Sequence, residues 1–373
     1  MKTNIVYISC GGTGGHFFPG LSLGRELQKQ NFEVRLLLSG VNSASQCKIG
    51  AEYGLESAVL PKMPSPGKNP LRLIAFLWGF VMGFFRCFFK FLARRPRCLI
   101  VMGSFASAPG AVCAKLLRVP IFLHDGNARI GKANRLLSRW ARMLCTAFPA
   151  VNGDAIRCPL HCTGMPLRPE LEAKKEISKA EAIQGLNEKY NSQLSSDLFT
   201  ILIFGGSQGA ASLNSNIPRG LMKLKEKSFQ VIHLTGKGKC EETGKLYKEA
   251  SFPHLLLESA SCMELFLGSA DLVFSRSGGS SVAELALFGK CAILIPFPYA
   301  AEGHQEDNAR YFVNAGAGTM VRNSDLSEEK VFELVSSYME DKEKLQKCKE
   351  AAGKAAFPGA TCAFLELAGL LKK

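Results

Sequence analysis

Short apolar runs of strand length alternate along this sequence with longer segments whose composition suits helices. Continuous apolar strands separated by helices are typical of parallel sheets that helices cover on both faces. The runs form one series in each half of the chain, so we predict an α/β fold with two doubly wound domains. The predicted strands cover residues 4–9, 33–38, 98–102 and 120–124 in the first series and 199–204, 230–235, 271–275 and 291–296 in the second.

The length of 373 residues also favours two domains, because it exceeds what one hydrophobic core usually supports. The polar, charge-dense segment 166–196 interrupts the alternation, and we interpret it as a linker with a surface helix. The stretch 327–373 predicts two helices and no further strand. We expect an N-terminal Rossmann-like domain over 1–166, a C-terminal one over 167–345, and a helix within 346–373 that packs back on the N-terminal domain.

Three glycine-rich loops follow predicted strands, at the sheet edge where doubly wound domains bind ligands. They cover residues 11–16, 103–110 and 205–210, and read GGTGGH, GSFASAPG and GGSQGA. Exposed N–H groups at the start of the next helix favour anions, although each loop alone also fits a tight turn. Neither the dinucleotide fingerprint nor a Walker A loop is present. Together the loops predict a nucleotide-type ligand in a cleft that the two domains face.

Several polar residues follow the predicted strands as well. Glu284 comes after a strand and the glycine turn SRSGG, where it would either accept the two ribose hydroxyls or complement the helix dipole. His304 and Gln305 follow another strand and a proline pair. His16 ends the first glycine loop, which makes it a candidate general base, although a lone histidine is more often structural.

Motifs for a metal or a cofactor are missing from the sequence. There is no Asp-x-Asp pair and no HExxH motif, and the group of Cys158, His161 and Cys162 lacks a second ligand pair. We therefore expect a reaction without metal or cofactor. The thirteen cysteines are odd in number and scattered, several within apolar runs, which predicts buried, reduced thiols.

The net charge of +14 is concentrated in one part of the first domain. Residues 57–153 contain 15 Lys or Arg and one acid, Asp125, whereas the rest of the chain has 31 basic and 31 acidic residues. Such a stretch predicts an anionic partner, either a membrane or a nucleic acid. No nucleic-acid-binding motif accompanies the charge, so we favour the membrane.

The segment 68–97 has the composition of a helix that lies in a membrane interface. Its uncharged run, 73–85, is shorter than the ~20 residues that span a bilayer. Trp78, seven Phe and flanking bases suit an interfacial helix, and an unusually apolar core helix is the alternative.

The glycine motifs, taken as a set, resemble the MurG family of UDP-N-acetylglucosamine–N-acetylmuramyl-(pentapeptide) pyrophosphoryl-undecaprenol N-acetylglucosamine transferases. The resemblance rests on GGTGGHFFPG, GGSQGA, SRSGGSSVAE and PFP followed by HQEDNA, in this order between residues 11 and 309. It implies the GT-B fold, two Rossmann-like domains facing a cleft. It also implies inverting transfer of GlcNAc from UDP-GlcNAc to the 4-hydroxyl of MurNAc in the undecaprenyl-pyrophosphoryl pentapeptide, a step of peptidoglycan and cell-wall synthesis.

The resemblance also assigns site residues. In the first domain, Thr13, Gly14 and Gly15 would border the donor sugar and phosphates, His16 would be the base or a sugar contact, and Asn127 would touch GlcNAc. The other implied contacts with UDP-GlcNAc are Arg168 and Ser207 at the diphosphate, Ala260 near uracil, Gly279, Ser280 and Ser281 at the helix start, Glu284 at the ribose and Gln305 at the sugar hydroxyls.

Two loops depart from the family pattern on the acceptor side. HDGN stands at residues 124–127 where the family usually has HEQN, and GSFASAPG stands where it has GGYVSGP. The resemblance implies a peripheral enzyme at the cytoplasmic face of the inner membrane, with an anionic surface, no nucleic acid and other cell-wall synthesis proteins as partners. Alternatives are a diacylglycerol-type glycosyltransferase, a UDP-GlcNAc 2-epimerase and a non-catalytic nucleotide-binding scaffold.

Overall fold

The computed structural model describes residues 4–64, 70–206, 209–224 and 228–371, and it divides into two compact units. The N-terminal unit comprises Met1–Arg168 with Gly359–Lys373, and the C-terminal unit comprises Pro169–Pro358. Each unit contains one parallel sheet flanked by helices. The predicted α/β class with two doubly wound sheets is therefore confirmed.

Seven strands form the parallel sheet of the N-terminal unit. They are β1 (Ile5–Ser9), β2 (Glu33–Leu38), β3 (Glu56–Val59), β4 (Cys98–Val101), β5 (Ile121–Asp125), β6 (Met143–Thr146) and β7 (Leu160–Cys162). Their order in the sheet is β3-β2-β1-β4-β5-β6-β7. The helices are α1 (Gly14–Lys29), α2 (Ser43–Glu52), α3 (Pro70–Ala93), α4 (Ala108–Leu116), α5 (Lys132–Leu137) and, after the return of the chain, α15 (Ala360–Leu367).

Six strands form the sheet of the C-terminal unit. They are β8 (Phe199–Phe204), β9 (Phe229–Leu234), β10 (His254–Leu257), β11 (Leu272–Ser275), β12 (Cys291–Leu294) and β13 (Gly318–Met320), in the order β10-β9-β8-β11-β12-β13. The helices are α6 (Pro169–Ala173), α7 (Lys179–Tyr190), α8 (Ala211–Leu221), α9 (Cys240–Leu246), α10 (Met263–Ser269), α11 (Gly279–Leu287), α12 (His304–Asn314), α13 (Glu328–Glu340) and α14 (Lys342–Lys354).

Strand β1 shows why the central strands read as continuous apolar runs. Val6 and Ile8 belong to a buried cluster that includes residues of α1 and α15, whereas Ile5 and Tyr7 belong to a second cluster with residues of α3 and α4. Because successive side chains point to opposite faces, both faces must be apolar when helices cover both. The same reasoning applies to β8, which is almost fully buried.

The strands that the sequence did not predict are mostly short and partly exposed. β3, β7, β10 and β13 are half-buried or exposed along their length, so they lack a continuous apolar pattern. β6, with the sequence MLCT, is buried but only four residues long. The segment predicted as a surface helix contains α6 and α7, and α7 buries Ala182, Ile183 and Leu186.

The last part of the chain forms three helices rather than the two that we predicted. α13 and α14 belong to the C-terminal unit, and only the residues from Gly359 onward, with α15, belong to the N-terminal unit. The side chains of Phe364 and Leu365 on α15 are fully buried in the N-terminal core. The expected third segment, 346–373, is therefore divided between the units, because α14 packs against α11, α13 and β12.

One pair of cysteines departs from the prediction of reduced thiols. The structure bonds the sulfurs of Cys291, on β12, and Cys348, on α14. Both residues lie in the apolar core of the C-terminal unit, which brings them together although 57 positions separate them. Spacing in the sequence gave no signal for this pairing.

Helix α3 exposes most of its apolar surface. It is long and apolar enough to cross a membrane by length and composition, and only 17% of its most apolar window is buried. The buried residues, Gly79, Gly83, Cys87 and Phe91, recur every fourth position and form one narrow face. Small residues on that face allow close packing, since a Cβ at position 79 would meet the Lys62 carbonyl oxygen at 2.7 Å. This exposure does not fit the alternative of a core helix.

Candidate active site

The predicted glycine loops of the N-terminal unit lie at the point where its strand order reverses. β1 and β4 are neighbours in the sheet, and the chain leaves them toward opposite sides. Loops that diverge from adjacent parallel strands open a crevice at the carboxyl edge of the sheet, which is where such folds bind ligands. The loop after β1, residues 10–13, leads into α1 at Gly14, and Gly103 lies in the loop after β4.

Side chains of α2 fix the backbone of the first glycine loop. The Gly12 carbonyl accepts hydrogen bonds from Asn42 Nδ2 at 3.2 Å and from Gln46 Nε2 at 3.1 Å. Gly12 has a φ of 112°, and a Cβ at Gly11 would overlap the backbone of Ser39. Glycine is therefore required at both positions: at Gly12 because of its backbone conformation, and at Gly11 because there is no space for a side chain.

His16 lies in the first turn of α1, between the two loops of the crevice. Its Nδ1 shares a hydrogen bond with Thr13 Oγ1 at 3.2 Å. On its other edge, Nε2 and Cδ2 would both be 3.1 Å from a Cβ placed on Gly103. When Nδ1 carries the proton and donates it to Thr13, Nε2 keeps its lone pair and can accept a proton. The structure thus brings Thr13 and His16 together, and their roles stay predictions.

The loop after β5 is organised around the carboxylate of Asp125. Its Oδ1 accepts from the Asn127 backbone N–H at 3.2 Å and from Asn127 Nδ2 at 3.4 Å. Its Oδ2 accepts from the Gly131 N–H at 2.9 Å and from Asn134 Nδ2 at 3.0 Å. Asp125 is almost fully buried, so these donors replace the water that the charge would otherwise need. The carboxylate therefore holds Asn127 in place.

Asn134 is a residue that the sequence analysis missed. Besides Asp125, its amide Nδ2 donates to the His124 carbonyl at 3.0 Å, and its Oδ1 is buried without a hydrogen-bond partner among the described residues. Asn134 Nδ2 would also lie 3.7 Å from a Cβ on Gly103. The one signal in the sequence was its position seven residues after Asn127, and this spacing does not belong to a known motif.

Gly126, at the family departure, packs against the end of the Met165 side chain. A Cβ at Gly126 would lie 2.8 Å from Met165 Cε, so a larger residue requires Met165 to move.

Two further polar residues of this unit have described contacts. The guanidinium of Arg168 lies over the ring of Phe18 on α1, 5.3 Å from its centroid. His124 is buried and binds the Gly164 carbonyl at 2.9 Å, and its burial lowers its pKa.

The C-terminal unit repeats this arrangement at its own reversal of strand order, between β8 and β11. The loop after β8 turns through Gly206, with φ 79°, and Gly209, with φ 64°. A Cβ at Gly209 would overlap the carbonyl oxygen of Thr235, so the loop lies directly on the end of β9. Ser207, the predicted diphosphate contact, is outside the described residues.

Helix α11 begins at the same crevice, immediately after β11. Gly278 precedes it in an extended conformation, and no side-chain hydrogen bond from a described residue caps its first turn. Gly279, Ser280 and Ser281 supply the first backbone N–H groups, which favour an anion. Ser280 Oγ is buried and has no hydrogen-bond partner within the part of the chain that the structure describes. Glu284 follows on the second turn and is half-buried.

Gln305 is held at the start of α12 by contacts to the neighbouring loops. Its Oε1 accepts from the Phe297 N–H at 2.9 Å, and its carbonyl accepts from Ser277 Oγ at 2.8 Å. Asn308 Nδ2, fully buried, donates to the Ser277 carbonyl at 3.0 Å. The loop that precedes Gln305 contains Glu302 with a φ of 52°. The loops after β11 and β12 are therefore connected at Ser277.

Arg276 is a second residue that the sequence analysis missed. Its guanidinium donates to the carbonyls of Ile295 at 3.0 Å and Pro296 at 3.2 Å and to Ser212 Oγ at 3.0 Å. It thereby joins the loops after β11 and β12 to α8. A charged residue inside the glycine turn SRSGG was the available signal. Ala260 is half-buried, between the exposed residues Ser259 and Ser261 after β10, and no described contact tests its role.

Among the described residues, no group of three or more His, Cys, Asp or Glu could hold a metal ion. The groups at the two crevices include amides, hydroxyls, an imidazole and helix N-termini, together with the carboxylates of Asp125 and Glu284 and the guanidinium of Arg276. Such groups bind phosphates and sugar hydroxyls by hydrogen bonding. The roles that we assign to individual residues stay predictions.

Comparisons with known proteins identify close similarity over almost the whole chain. The Glycosyltransferase family 28 N-terminal domain matches residues 6–146, and the Glycosyltransferase family 28 C-terminal domain matches residues 200–361. UDP-N-acetylglucosamine--N-acetylmuramyl-(pentapeptide) pyrophosphoryl-undecaprenol N-acetylglucosamine transferase of Myxococcus xanthus is 30% identical, over 95% of this chain and 90% of its own. The protein of the same name from Desulfitobacterium hafniense is 32% identical, over 95% and 96%.

Among solved structures, MurG of Acinetobacter baumannii has the same fold. It superposes with a TM-score of 0.79 over 100% of both chains, at 24% sequence identity.

Proposed function

This chain belongs to the MurG family of glycosyltransferases, and from that premise we propose how its two units carry out the transfer. The enzyme transfers N-acetylglucosamine from UDP-GlcNAc to undecaprenyl-pyrophosphoryl-MurNAc-pentapeptide, a step of peptidoglycan synthesis. The observation that carries the proposal is that the two units have different chemical groups at the point where their strand order reverses. One has a histidine beside a glycine loop, and the other has a helix N-terminus next to a glycine loop.

The C-terminal unit binds the donor nucleotide. The backbone N–H groups at the start of α11, with those of the loop after β8, bind the diphosphate, and Ser207 adds a hydroxyl donor. Glu284 accepts from the ribose hydroxyls, the segment at Ala260 borders uracil, and Gln305 contacts the sugar hydroxyls. The buried hydroxyl of Ser280 supports this proposal, because it has unused hydrogen-bonding capacity at the same helix start.

The N-terminal unit binds the acceptor and removes its proton. The muramyl 4-hydroxyl attacks the anomeric carbon of GlcNAc and inverts it, and His16 Nε2 accepts the hydroxyl proton. Thr13 selects the required tautomer through its hydrogen bond to Nδ1. The negative charge that develops on UDP is stabilised by the helix N-termini and by Arg168.

A transfer assay tests the function directly. Radiolabelled UDP-GlcNAc and a short-chain analogue of the lipid-linked muramyl pentapeptide are incubated with the enzyme and EDTA. We expect label in a lipid-extractable product. If UDP-GlcNAc binds saturably and no label is transferred, the acceptor assignment is wrong. Release of free epimerised sugar without acceptor would instead support an epimerase.

We propose further that α3 binds the enzyme to the cytoplasmic face of the cell membrane, where its lipid-linked acceptor resides. Ten large apolar residues of the helix are exposed: Leu71, Leu73, Ile74, Leu77, Trp78, Val81, Met82, Phe85, Phe89 and Leu92. The exposed fraction is 75% for Leu71, 67% for Trp78 and 64% for Phe89. Arg86 and Lys90 lie on the same helix. Bases beside an apolar face bind anionic leaflets, at about 1 kcal/mol for each base near the surface.

Vesicle flotation tests this membrane role. The enzyme should float with vesicles that contain phosphatidylglycerol and much less with pure phosphatidylcholine vesicles, and high salt should weaken the difference. Replacement of Trp78 and Phe89 by Ser should abolish flotation. Phe332→Ser, at an exposed aromatic residue of the C-terminal unit, is the matched control and should float normally. Equal flotation of all three proteins would contradict the assignment of α3.

A further inference from the structure

The disulfide of the C-terminal unit lies at the opposite end of its sheet from the donor loops. Cys291 is the first residue of β12, whereas the donor loops follow the carboxyl ends of the strands. The Cα atoms of Cys291 and Cys348 are 5.2 Å apart, which is ordinary for a disulfide. The bond joins β12 to α14. The segment of chain between the two cysteines contains the donor loop after β12, α12 and α13.

The two sulfurs differ in their access to solvent. Cys291 is fully buried, in a strand that pairs with β11 on one side and β13 on the other. Cys348 is 5% exposed and lines a shallow cavity of about 450 Å³ together with Gly318, Thr319 and Lys344. Cys348 therefore borders the cavity and keeps a small exposed surface, whereas Cys291 has none.

The chain next to both cysteines carries a surplus of positive charge. Lys349 donates to the Asp271 carboxylate at 3.0 Å, and Lys179 donates to its other oxygen at 2.5 Å. Lys290 donates to the Ala270 carbonyl at 3.0 Å, and its burial lowers its pKa to about 8, so it keeps most of its charge at neutral pH. Three lysines thus surround one aspartate. Lys290 and Lys349 adjoin Cys291 and Cys348 in the sequence, and both bases (Lys344, Lys347) and acids (Asp341, Glu343) line the cavity beside Cys348. Positive charge near a sulfur favours the thiolate, the form that reacts, and burial opposes it.

We infer that Cys348 is a modification site for thiol–disulfide exchange with small disulfides of the glutathione class, and that Cys291 is its resolving thiol. In the reduced protein the Cys348 thiolate attacks one sulfur of the small disulfide, forms a mixed disulfide and releases one small thiolate. Cys291 then loses its proton and attacks Cys348 Sγ, which releases the second small thiolate. Two protein thiols are oxidised and one small disulfide is reduced to two thiols, so the electrons balance.

The exchange makes the connection between α14 and β12 reversible. α14 packs against α11, which begins at the donor crevice, and the carbonyl of Lys349 would lie 3.4 Å from a Cβ on Gly289 at the end of α11. This inference does not depend on the proposed function, because its test measures the chemical state of two named sulfurs. It does not require sugar transfer.

Peptide mapping of single variants tests the inference. Reduced, folded Cys291→Ser is incubated with oxidised glutathione, quenched in acid and digested, and we expect a glutathione adduct on the peptide that contains Cys348. Folded Cys348→Ser should give no adduct on Cys291 until it is denatured. Cys240→Ser, which removes a partly exposed cysteine of the same unit, should form the Cys291–Cys348 bond as the wild type does.

The wild type provides a test that does not depend on the folding of variants. The fully reduced protein is mixed with oxidised glutathione and quenched at successive times. A mixed disulfide on Cys348 should appear first and the peptide linking Cys291 to Cys348 should follow. A first adduct on Cys291, or two alkylatable thiols after complete oxidation, would overturn the inference.

Discussion

The two units place glycine loops at the same topological position and stabilise them in different ways. In the N-terminal unit, the side chains of Asn42 and Gln46 bind the loop after β1, which also packs on the backbone of Ser39, and Asp125 binds the loop after β5. In the C-terminal unit, the loop after β8 lies against the backbone at Thr235. The first arrangement presents an imidazole, and the second presents backbone N–H groups. On the proposed function, one unit supplies proton transfer and the other supplies phosphate binding.

Removal of the imidazole should have the largest effect. For His16→Ala we expect kcat to fall by about 10²–10⁴, because a positioned general base contributes that much. The affinity for UDP-GlcNAc, measured by titration calorimetry, should change little. His254→Ala, at an exposed histidine of the C-terminal unit, is the control and should keep wild-type turnover. Near-normal turnover of His16→Ala would remove His16 from the role of base.

A pair of glycine substitutions tests the backbone half of the comparison. Gly209→Ala should strongly weaken binding of UDP-GlcNAc and destabilise the fold, because its Cβ overlaps the Thr235 carbonyl and its φ is 64°. Gly206→Ala has a similar φ of 79° and open space around the new Cβ, so it should cost only about 1–2 kcal/mol of stability. Urea unfolding and UDP-GlcNAc titration measure both quantities. Equal effects of the two variants would mean that the contact with Thr235 has no importance.

Acidification should destabilise both units modestly, through one buried histidine in each. Burial lowers the pKa of His233 to about 3, and its ring bonds to Tyr247 and Asn214; burial lowers the pKa of His124 as well. In the unfolded chain, each of these histidines has a pKa near 6.5 and takes up a proton below that pH. In the folded chain the same histidines stay neutral down to a lower pH. The free energy of unfolding therefore does not depend on these histidines above about pH 6.5. Below that pH it decreases, by roughly 1.4 kcal/mol per pH unit for His233.

Urea unfolding at pH 7 and pH 5.5 measures this loss. A free energy of unfolding that does not change between the two pH values would contradict the assignment of neutral, buried imidazoles.

The sequence was informative where one feature alone determines the structure. β8 has the predicted bounds because five of its six residues are apolar and three of the six are β-branched. The glycine loops were located because the turns need residues without a side chain. Asn134 and the disulfide were missed because their roles arise from the packing of segments distant in sequence, and Cys291 and Cys348 are 57 residues apart. β7 and β13, three residues each, are too short for a pattern.

The return of α15 to the N-terminal core has a consequence for the order of folding during synthesis. Phe364 and Leu365 fill that core, and the ribosome makes them only after all of the residues 169–358. The C-terminal unit is continuous in sequence and can complete its core first. The N-terminal unit, although its strands emerge earlier, must wait with an open apolar face until α15 arrives. Domains usually complete folding in the order of their synthesis, and we expect that order to be reversed in this protein.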